Sequence, residues 1–127
     1  MFAFRFAGAI ALTLVASASV ASPNVAAPVQ TIAMQSFSYA PNPIQLTAGK
    51  PITLNFVNRG GKGHDFTAPQ FFAASRILSG SVAKGEVDLR GGGSASVTLI
   101  PAAGTYAVHC GHPFHNMMGM HTTIVVR

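Results

Sequence analysis

Short segments of alternating apolar and polar residues, separated by turn residues, constrain the fold of this chain most strongly. The segment PITLNFVN places Ile52, Leu54 and Phe56 on one face of a strand, and SASVTLI alternates in the same way. Several such strands with turn punctuation predict an all-β sandwich. Further strand candidates are QTIAMQSFS, IQLTAG, GTYAVHC and TTIVV, and the turn sequences include APNP and RGGKG.

One segment departs from this alternation. In APQFFAASRILSGS, the apolar residues Phe71, Ala74, Ile77 and Leu78 follow a nearly helical spacing. We therefore expect a short helix or an irregular crossover near residues 70–79, packed over one end of the core.

The first residues have the pattern of a secretory signal peptide. Arg5 provides the positive charge, and the apolar run at 6–15 is too short for a stable membrane span. Small residues at the cleavage positions predict a signal at 1–21 that is cut after Ala21, with a cut after Ala18 as the second choice. The alternative, a membrane anchor, would need a longer apolar run.

The chain is therefore expected to be exported to the periplasm, with no stable membrane anchor after cleavage. We expect a flexible leader at 22–28 and a single domain at 29–127, present as a monomer. The whole chain carries eight basic and three acidic residues, and the basic residues are scattered along the sequence. Nucleic-acid binding needs clustered basic residues with stacking aromatics, so no nucleic-acid partner is predicted.

A lone cysteine is unusual in an exported protein, because cysteines in oxidising compartments generally form pairs. Cys110 is the only cysteine of the chain, so an intramolecular disulfide is excluded. It is then an inert buried thiol, an intermolecular bridge, a nucleophile or a metal ligand. Strand alternation places Cys110 on the inward face with Tyr106 and Val108, whereas His109 faces outward.

The neighbours of this cysteine favour the metal ligand. The segment AVHCGHPFHNMMGMHTTIVVR contains the only thiol, four of the five histidines and three of the five methionines. Thiolate, imidazole and thioether ligands select soft or borderline metals, and a trigonal site of two histidines and one cysteine with a long axial methionine is typical of copper. The loop can supply one histidine, the cysteine and the methionine. His64, at the end of NRGGKGHDF, is the only histidine outside this segment.

The segments VNRGGKGHDF and GTYAVHCGHPFHNMMGM resemble the cupredoxins, which are small blue-copper proteins. The ligand loop of that family runs Cys, His, Met with variable spacing, and Cys110, His115 and Met120 fit a Cys-x4-His-x4-Met version. The resemblance covers residues 30–127. It implies a Greek-key β-sandwich of the cupredoxin type and one copper ion, cycling between Cu(II) and Cu(I), with His64, Cys110, His115 and Met120 as ligands.

Two further histidines could compete for the ligand positions, and one residue departs from the family pattern. His112 is only two residues past Cys110 and is followed by Pro113, which restricts the backbone, so it is expected at the loop rim. His121 begins the last strand and is expected to be structural or exposed. Asp65 stands where better-known members commonly have an asparagine that ties the two ligand loops together.

In cupredoxins the histidine of the ligand loop reaches the surface inside an apolar patch, where redox partners dock. The resemblance therefore implies a docking patch around His115, formed by Pro113, Phe114, Met117 and Met118.

The resemblance implies a one-electron carrier and not an enzyme. A Cys–His hydrolase would need an oriented third group and a substrate cleft, and the only acids are Asp65, Glu86 and Asp88. The alternative is a periplasmic copper carrier, buffer or delivery protein, because surplus histidines and methionines can hand on Cu(I). These surplus residues are Met34, His109, His112, Met117, Met118 and His121.

Overall fold

The computed structural model describes residues 3, 8, 11–20, 26–113, 115 and 117–127. Parts of the predicted signal peptide and leader lie outside the described residues, including the cleavage position at Ala21, and Phe114 also lies outside them. Within the described ranges, none of the helices has the length and apolar character that a membrane crossing requires.

The described residues from 26 onward form short strands and one short helix. In chain order these are β1 (Val29–Gln35), β2 (Ser38–Ala40), β3 (Ile44–Leu46), β4 (Ile52–Asn58), β5 (His64–Thr67), α1 (Pro69–Ala74), β6 (Arg76–Ser79), β7 (Glu86–Leu89), β8 (Ser94–Ile100), β9 (Gly104–His109) and β10 (His121–Val126).

The strands form two sheets of mixed direction that face each other as a sandwich. One sheet has the order β2-β1-β4-β8-β6, and the other has the order β3-β10-β9-β5-β7. The β1–β4 and β3–β10 pairs are parallel, whereas the other pairs are antiparallel. The predicted all-β sandwich is therefore confirmed.

The alternation in the sequence sets which residues enter the core. In β4, Leu54 and Phe56 are buried, as are Val97 and Leu99 in β8, so the predicted inward faces are correct. Each buried aliphatic or aromatic side chain contributes roughly 1.5–3 kcal/mol of transfer free energy. The core also includes Ile32, Met34, Ile44, Phe66, Val108 and Ile124.

The expected helix is present at the beginning of the 70–79 segment. Helix α1 starts with proline at its first turn and buries Phe71 and Phe72 against the core. Ser75 has an extended backbone and ends the helix, and its hydroxyl donates a hydrogen bond to the Phe71 carbonyl at 2.7 Å.

The end of that segment differs from the helical spacing of its apolar residues. Arg76 to Ser79 form the edge strand β6, which pairs with β8, and all four residues are exposed. Ile77 and Leu78 therefore lie on a sheet edge and not on a buried helical face. Pairing with β8 gives the backbone of this segment hydrogen bonds that a longer helix would otherwise have supplied.

A buried asparagine holds the loop that leads into the second sheet. Asn58 ends β4, and its amide nitrogen donates to the carbonyls of Lys62 at 2.8 Å and Leu89 at 3.1 Å. Its amide oxygen accepts a hydrogen bond from the Gly60 N–H at 3.0 Å. Because one buried side chain satisfies several backbone groups, the loop reaches His64 in a defined conformation.

We predict that Asn58→Ala lowers the free energy of unfolding by about 2–3 kcal/mol, because it leaves buried carbonyls without donors. Asn55→Ala is the matched control, since Asn55 lies on the same strand and, among the described residues, its side chain is hydrogen-bonded only by the Ser96 hydroxyl, at an exposed position. The control should change stability by less than about 0.5 kcal/mol. Urea unfolding measures the stability of both variants. Equal losses of unfolding free energy in the two variants would contradict this role for Asn58.

Candidate metal centre

Three of the four residues of the expected ligand set lie at strand ends on one end of the second sheet, and the fourth, His115, lies in the loop between β9 and β10. His64 begins β5, Cys110 directly follows β9, and Met120 directly precedes β10. The β9–β10 ladder ends at the pair His109–His121, and beyond it the Cys110 N–H donates to the Met120 carbonyl at 3.1 Å. The two ends of the ligand loop are therefore held together by backbone hydrogen bonds.

Three candidate donor atoms converge at this end of the second sheet. The Nδ1 atoms of His64 and His115 lie 3.2 Å apart, and the Sγ atom of Cys110 lies 3.4 Å from Nδ1 of His115. All three donor atoms lie within 4.8 Å of one another. His64 and Cys110 are buried, whereas His115 is half-buried. The structure thus brings together three of the four expected ligands by their donor atoms.

The ligand loop turns around the backbone of His115. Its N–H donates to the His112 carbonyl at 3.2 Å, and its carbonyl accepts from the N–H groups of Met118 at 3.2 Å and Met120 at 3.0 Å. Gly119 has a φ of +91°, a conformation that other residues rarely adopt. This turn returns the chain to β10 with the side chain of Met120 fully buried.

Asp65 connects the two segments that carry the candidate ligands. Its N–H points at the Cys110 sulfur, 3.5 Å away, and its Oδ1 atom accepts hydrogen bonds from the Gly111 N–H at 2.7 Å and the Thr67 hydroxyl at 2.6 Å. The Tyr39 hydroxyl donates to the Asp65 carbonyl at 2.6 Å. Asp65 is buried, so its carboxylate is turned into the protein, where it ties the start of β5 to Gly111 in the ligand loop.

Burial sets the protonation of the metal-free donors. Desolvation raises the pKa of the Cys110 thiol, while hydrogen bonds from the backbones of Asp65 and His112 act in the opposite direction. Desolvation also lowers the pKa of His64, and the neighbouring His115 lowers it further. At neutral pH the chain therefore holds a protonated thiol beside a neutral His64 ring, which is the metal-binding form of histidine.

An aromatic residue that the sequence pattern did not indicate borders the site. Phe37, in the turn between β1 and β2, has a φ of +59° and contacts the His115 ring edge-on, with ring centroids 5.3 Å apart. A bulky residue in this conformation is uncommon and is held by its surroundings. A surface pocket of about 320 Å³ opens here and is lined by Ser36, Phe37, Gly61, Lys62, His64 and His115.

The remaining histidines and methionines occupy other positions. His112 is half-buried, and its ring stacks on His115 with centroids 5.6 Å apart and an angle of 20° between the rings. Met117 and Met118 are exposed at the loop surface. In the described part of the chain, neither His109, which is half-buried, nor His121, which is exposed, belongs to a cluster of candidate metal ligands.

Solved structures with the same fold include two auracyanins. One is dithionite-reduced auracyanin from Roseiflexus castenholzii, with 22% identity and a TM-score of 0.61 over 81% of this chain and 99% of the other. The second is auracyanin A from Chloroflexus aurantiacus, described as a "blue" copper protein, with 20% identity and a TM-score of 0.54 over 78% of this chain and 99% of the other. These similarities show the fold.

A larger protein contains the same fold as a part. A multicopper oxidase from Campylobacter jejuni is 11% identical with a TM-score of 0.61, over 85% of this chain and only 32% of the oxidase. A search of curated protein sequences gave no significant match. A family model for the cupredoxin-like domain, however, matches residues 6–126, and the chain therefore belongs to the cupredoxin-like family.

Proposed function

We propose that this protein is an exported one-electron carrier with a single type 1 copper site. Membership of the cupredoxin-like family implies one copper ion. Copper supplies one-electron exchange between Cu(II) and Cu(I) when it is bound. The proposed ligands are His64, Cys110, His115 and Met120, and the convergence of the first three donor atoms carries the proposal.

The distances between the donor atoms fit a shared metal ion. In zinc sites a metal–imidazole bond is about 2.0–2.1 Å long, so two nitrogens on one ion at tetrahedral to trigonal angles lie about 3.3–3.6 Å apart. The Nδ1 atoms of His64 and His115 are 3.2 Å apart, which is close to this range. A metal–sulfur bond of about 2.3 Å makes the corresponding nitrogen–sulfur separation about 3.6–3.8 Å. The observed 3.4 Å between Nδ1 of His115 and Sγ of Cys110 is slightly shorter. The donor set of two imidazoles and one thiol matches the trigonal part of a blue-copper site.

The axial role is proposed for Met120. Its thioether-bearing side chain is fully buried, and its backbone is tied both to Cys110 and to His115. Met117 and Met118 are exposed, so they are placed to contact solvent or a partner. Burial of one methionine and exposure of the other two is the arrangement that an axial ligand next to a docking surface requires.

The proposed route for the electron passes through His115. This ring is the half-buried member of the donor group, and Pro113, Met117 and Met118, which flank it in the sequence, are exposed. A redox partner docking on this surface would contact the ring edge. Phe114 was predicted to belong to the same patch and lies outside the described residues.

The similar structures support a carrier more than an enzyme. Auracyanin A is described as a "blue" copper protein and is covered over nearly its whole length. The oxidase is covered over only 32% of its length, so the likeness is to one of its parts. Export, which the predicted signal peptide at 1–21 supports, belongs to the same proposal.

A copper carrier, buffer or delivery protein is the second candidate. The exposed thioethers of Met117 and Met118 favour it, because soft exposed ligands beside the site can pass Cu(I) to a partner. Met34 is fully buried and is unavailable for this purpose. The function requires Cu(I) binding beyond one ion per chain, which competition with a chelator measures.

We predict that copper raises the melting temperature of the chain and that His64→Ala removes most of this rise. An ion present at 100 times its Kd stabilises the folded state by about 2.7 kcal/mol. For a domain of this size, that corresponds to a rise of roughly 10 °C or more. Each variant is compared with its own metal-free form in a calorimeter.

His109→Ala is the matched control for this experiment, because His109 is half-buried and lies outside the donor group. It should keep the full rise in melting temperature. An unchanged rise in the His64 variant would place the second imidazole elsewhere, and His112 would then be the next candidate.

We predict that Met120→Gln keeps copper and lowers the reduction potential by about 59 mV or more, a tenfold shift of the one-electron equilibrium. A harder amide oxygen favours Cu(II), and the axial contact is too weak for its loss to release the ion. Met118→Gln makes the same chemical change at an exposed position and should alter the potential little. Voltammetry that shows a large drop for Met118→Gln and none for Met120→Gln would reverse the two assignments.

A further inference from the structure

The acidic residues of this chain are concentrated at one place. The sequence contains only three acids against eight lysines and arginines, and all three, Asp65, Glu86 and Asp88, lie on the paired strands β5 and β7. Asp65 and Asp88 are direct cross-strand partners. Like charges placed opposite each other in a sheet are destabilising, so this pair of carboxylates favours a cation between them.

A histidine completes this pair. The Nε2 atom of His112 lies 3.1 Å from Oδ1 of Asp88 and 3.8 Å from Oδ2 of Asp65. One donor atom from each of the three residues lies within 4.8 Å of the others. The ring of His112 is held by stacking on His115, and it also packs against Gly63, where an added Cβ would lie 3.0 Å from its Cε1 atom.

The buried member of the cluster has an oxygen directed into it. The Asp65 side chain is only 6% exposed, and its Oδ1 atom already accepts the hydrogen bonds from Gly111 and Thr67. Among the described residues, Oδ2 accepts no hydrogen bond, and it faces the His112 ring nitrogen. A carboxylate oxygen that is held rigidly and directed at a neighbouring imidazole nitrogen is positioned to share a metal ion with it.

We propose that Asp65, Asp88 and His112 form a second metal site, for a borderline divalent cation such as Zn²⁺. Two carboxylate oxygens and one imidazole nitrogen are ligands that zinc accepts, with water in the remaining position. The cluster has no sulfur ligand, so it disfavours Cu(I) and differs in selectivity from the site at Cys110. The proposal goes beyond the copper function and does not depend on it.

The test is a zinc titration of the copper-loaded full chain, followed by calorimetry. We expect one zinc ion per chain, and we expect Asp88→Asn to weaken its binding tenfold or more. Asp88 is exposed, so this variant should fold normally. Glu86→Gln is the matched control, because it removes the same charge from the same strand at a residue outside the cluster, and it should weaken binding less than twofold.

Two results would overturn the proposal. Absence of zinc binding would leave His112 as an ordinary ion-pair partner of Asp88. Equal weakening in the Asp88 and Glu86 variants would show general attraction by negative charge and not a built site.

The outcome is readable even if the copper proposal fails. In that case zinc is titrated into the metal-free Cys110→Ser chain and into the Cys110→Ser/Asp88→Asn double variant. The difference in bound zinc between these two proteins reports this cluster alone. If the double variant binds as much zinc as Cys110→Ser does, the proposal is contradicted.

Discussion

The hydrogen bonds of Asp65 are the interactions on which the candidate copper site depends. The backbone of Asp65 contacts the Cys110 sulfur, and its carboxylate holds the Gly111 N–H, so one residue fixes β5 relative to the start of the ligand loop. Tyr39 secures the Asp65 carbonyl from the other sheet, and burial raises the Tyr39 pKa, which keeps its hydroxyl protonated as a donor. A site built at strand ends therefore inherits the rigidity of both sheets.

At this position the chain carries a carboxylate, which is negatively charged, and not the neutral amide of an asparagine. An asparagine can also donate hydrogen bonds, but a carboxylate only accepts them, and here Gly111 and Thr67 both donate to one of its two oxygens, Oδ1. The same side chain belongs to the copper surroundings through one oxygen and to the proposed zinc cluster through the other. Its charge also opposes deprotonation of Cys110, which burial already disfavours.

Much of this structure follows from the sequence, for physical reasons. The alternation of apolar and polar residues predicts that Cys110, just after β9, points inward. The same two-residue period predicts the buried faces of β4 and β8. The end of the 70–79 segment does not follow from its sequence pattern. Ile77 and Leu78 have helical spacing, but their strand pairs with β8. Contacts between distant segments, such as Phe37 with His115 and Asp88 with His112, depend on the packing of the sandwich, and no local pattern indicated them.

The most direct test of the central claim is the visible spectrum of the purified chain during addition of Cu(II). If Cys110, His64 and His115 share one ion, an intense band from thiolate-to-copper charge transfer should grow and stop at about one equivalent. The band should be absent in Cys110→Ser, because the chain has no other thiol. Copper bound without this colour, or an unchanged band in the serine variant, would contradict the claim.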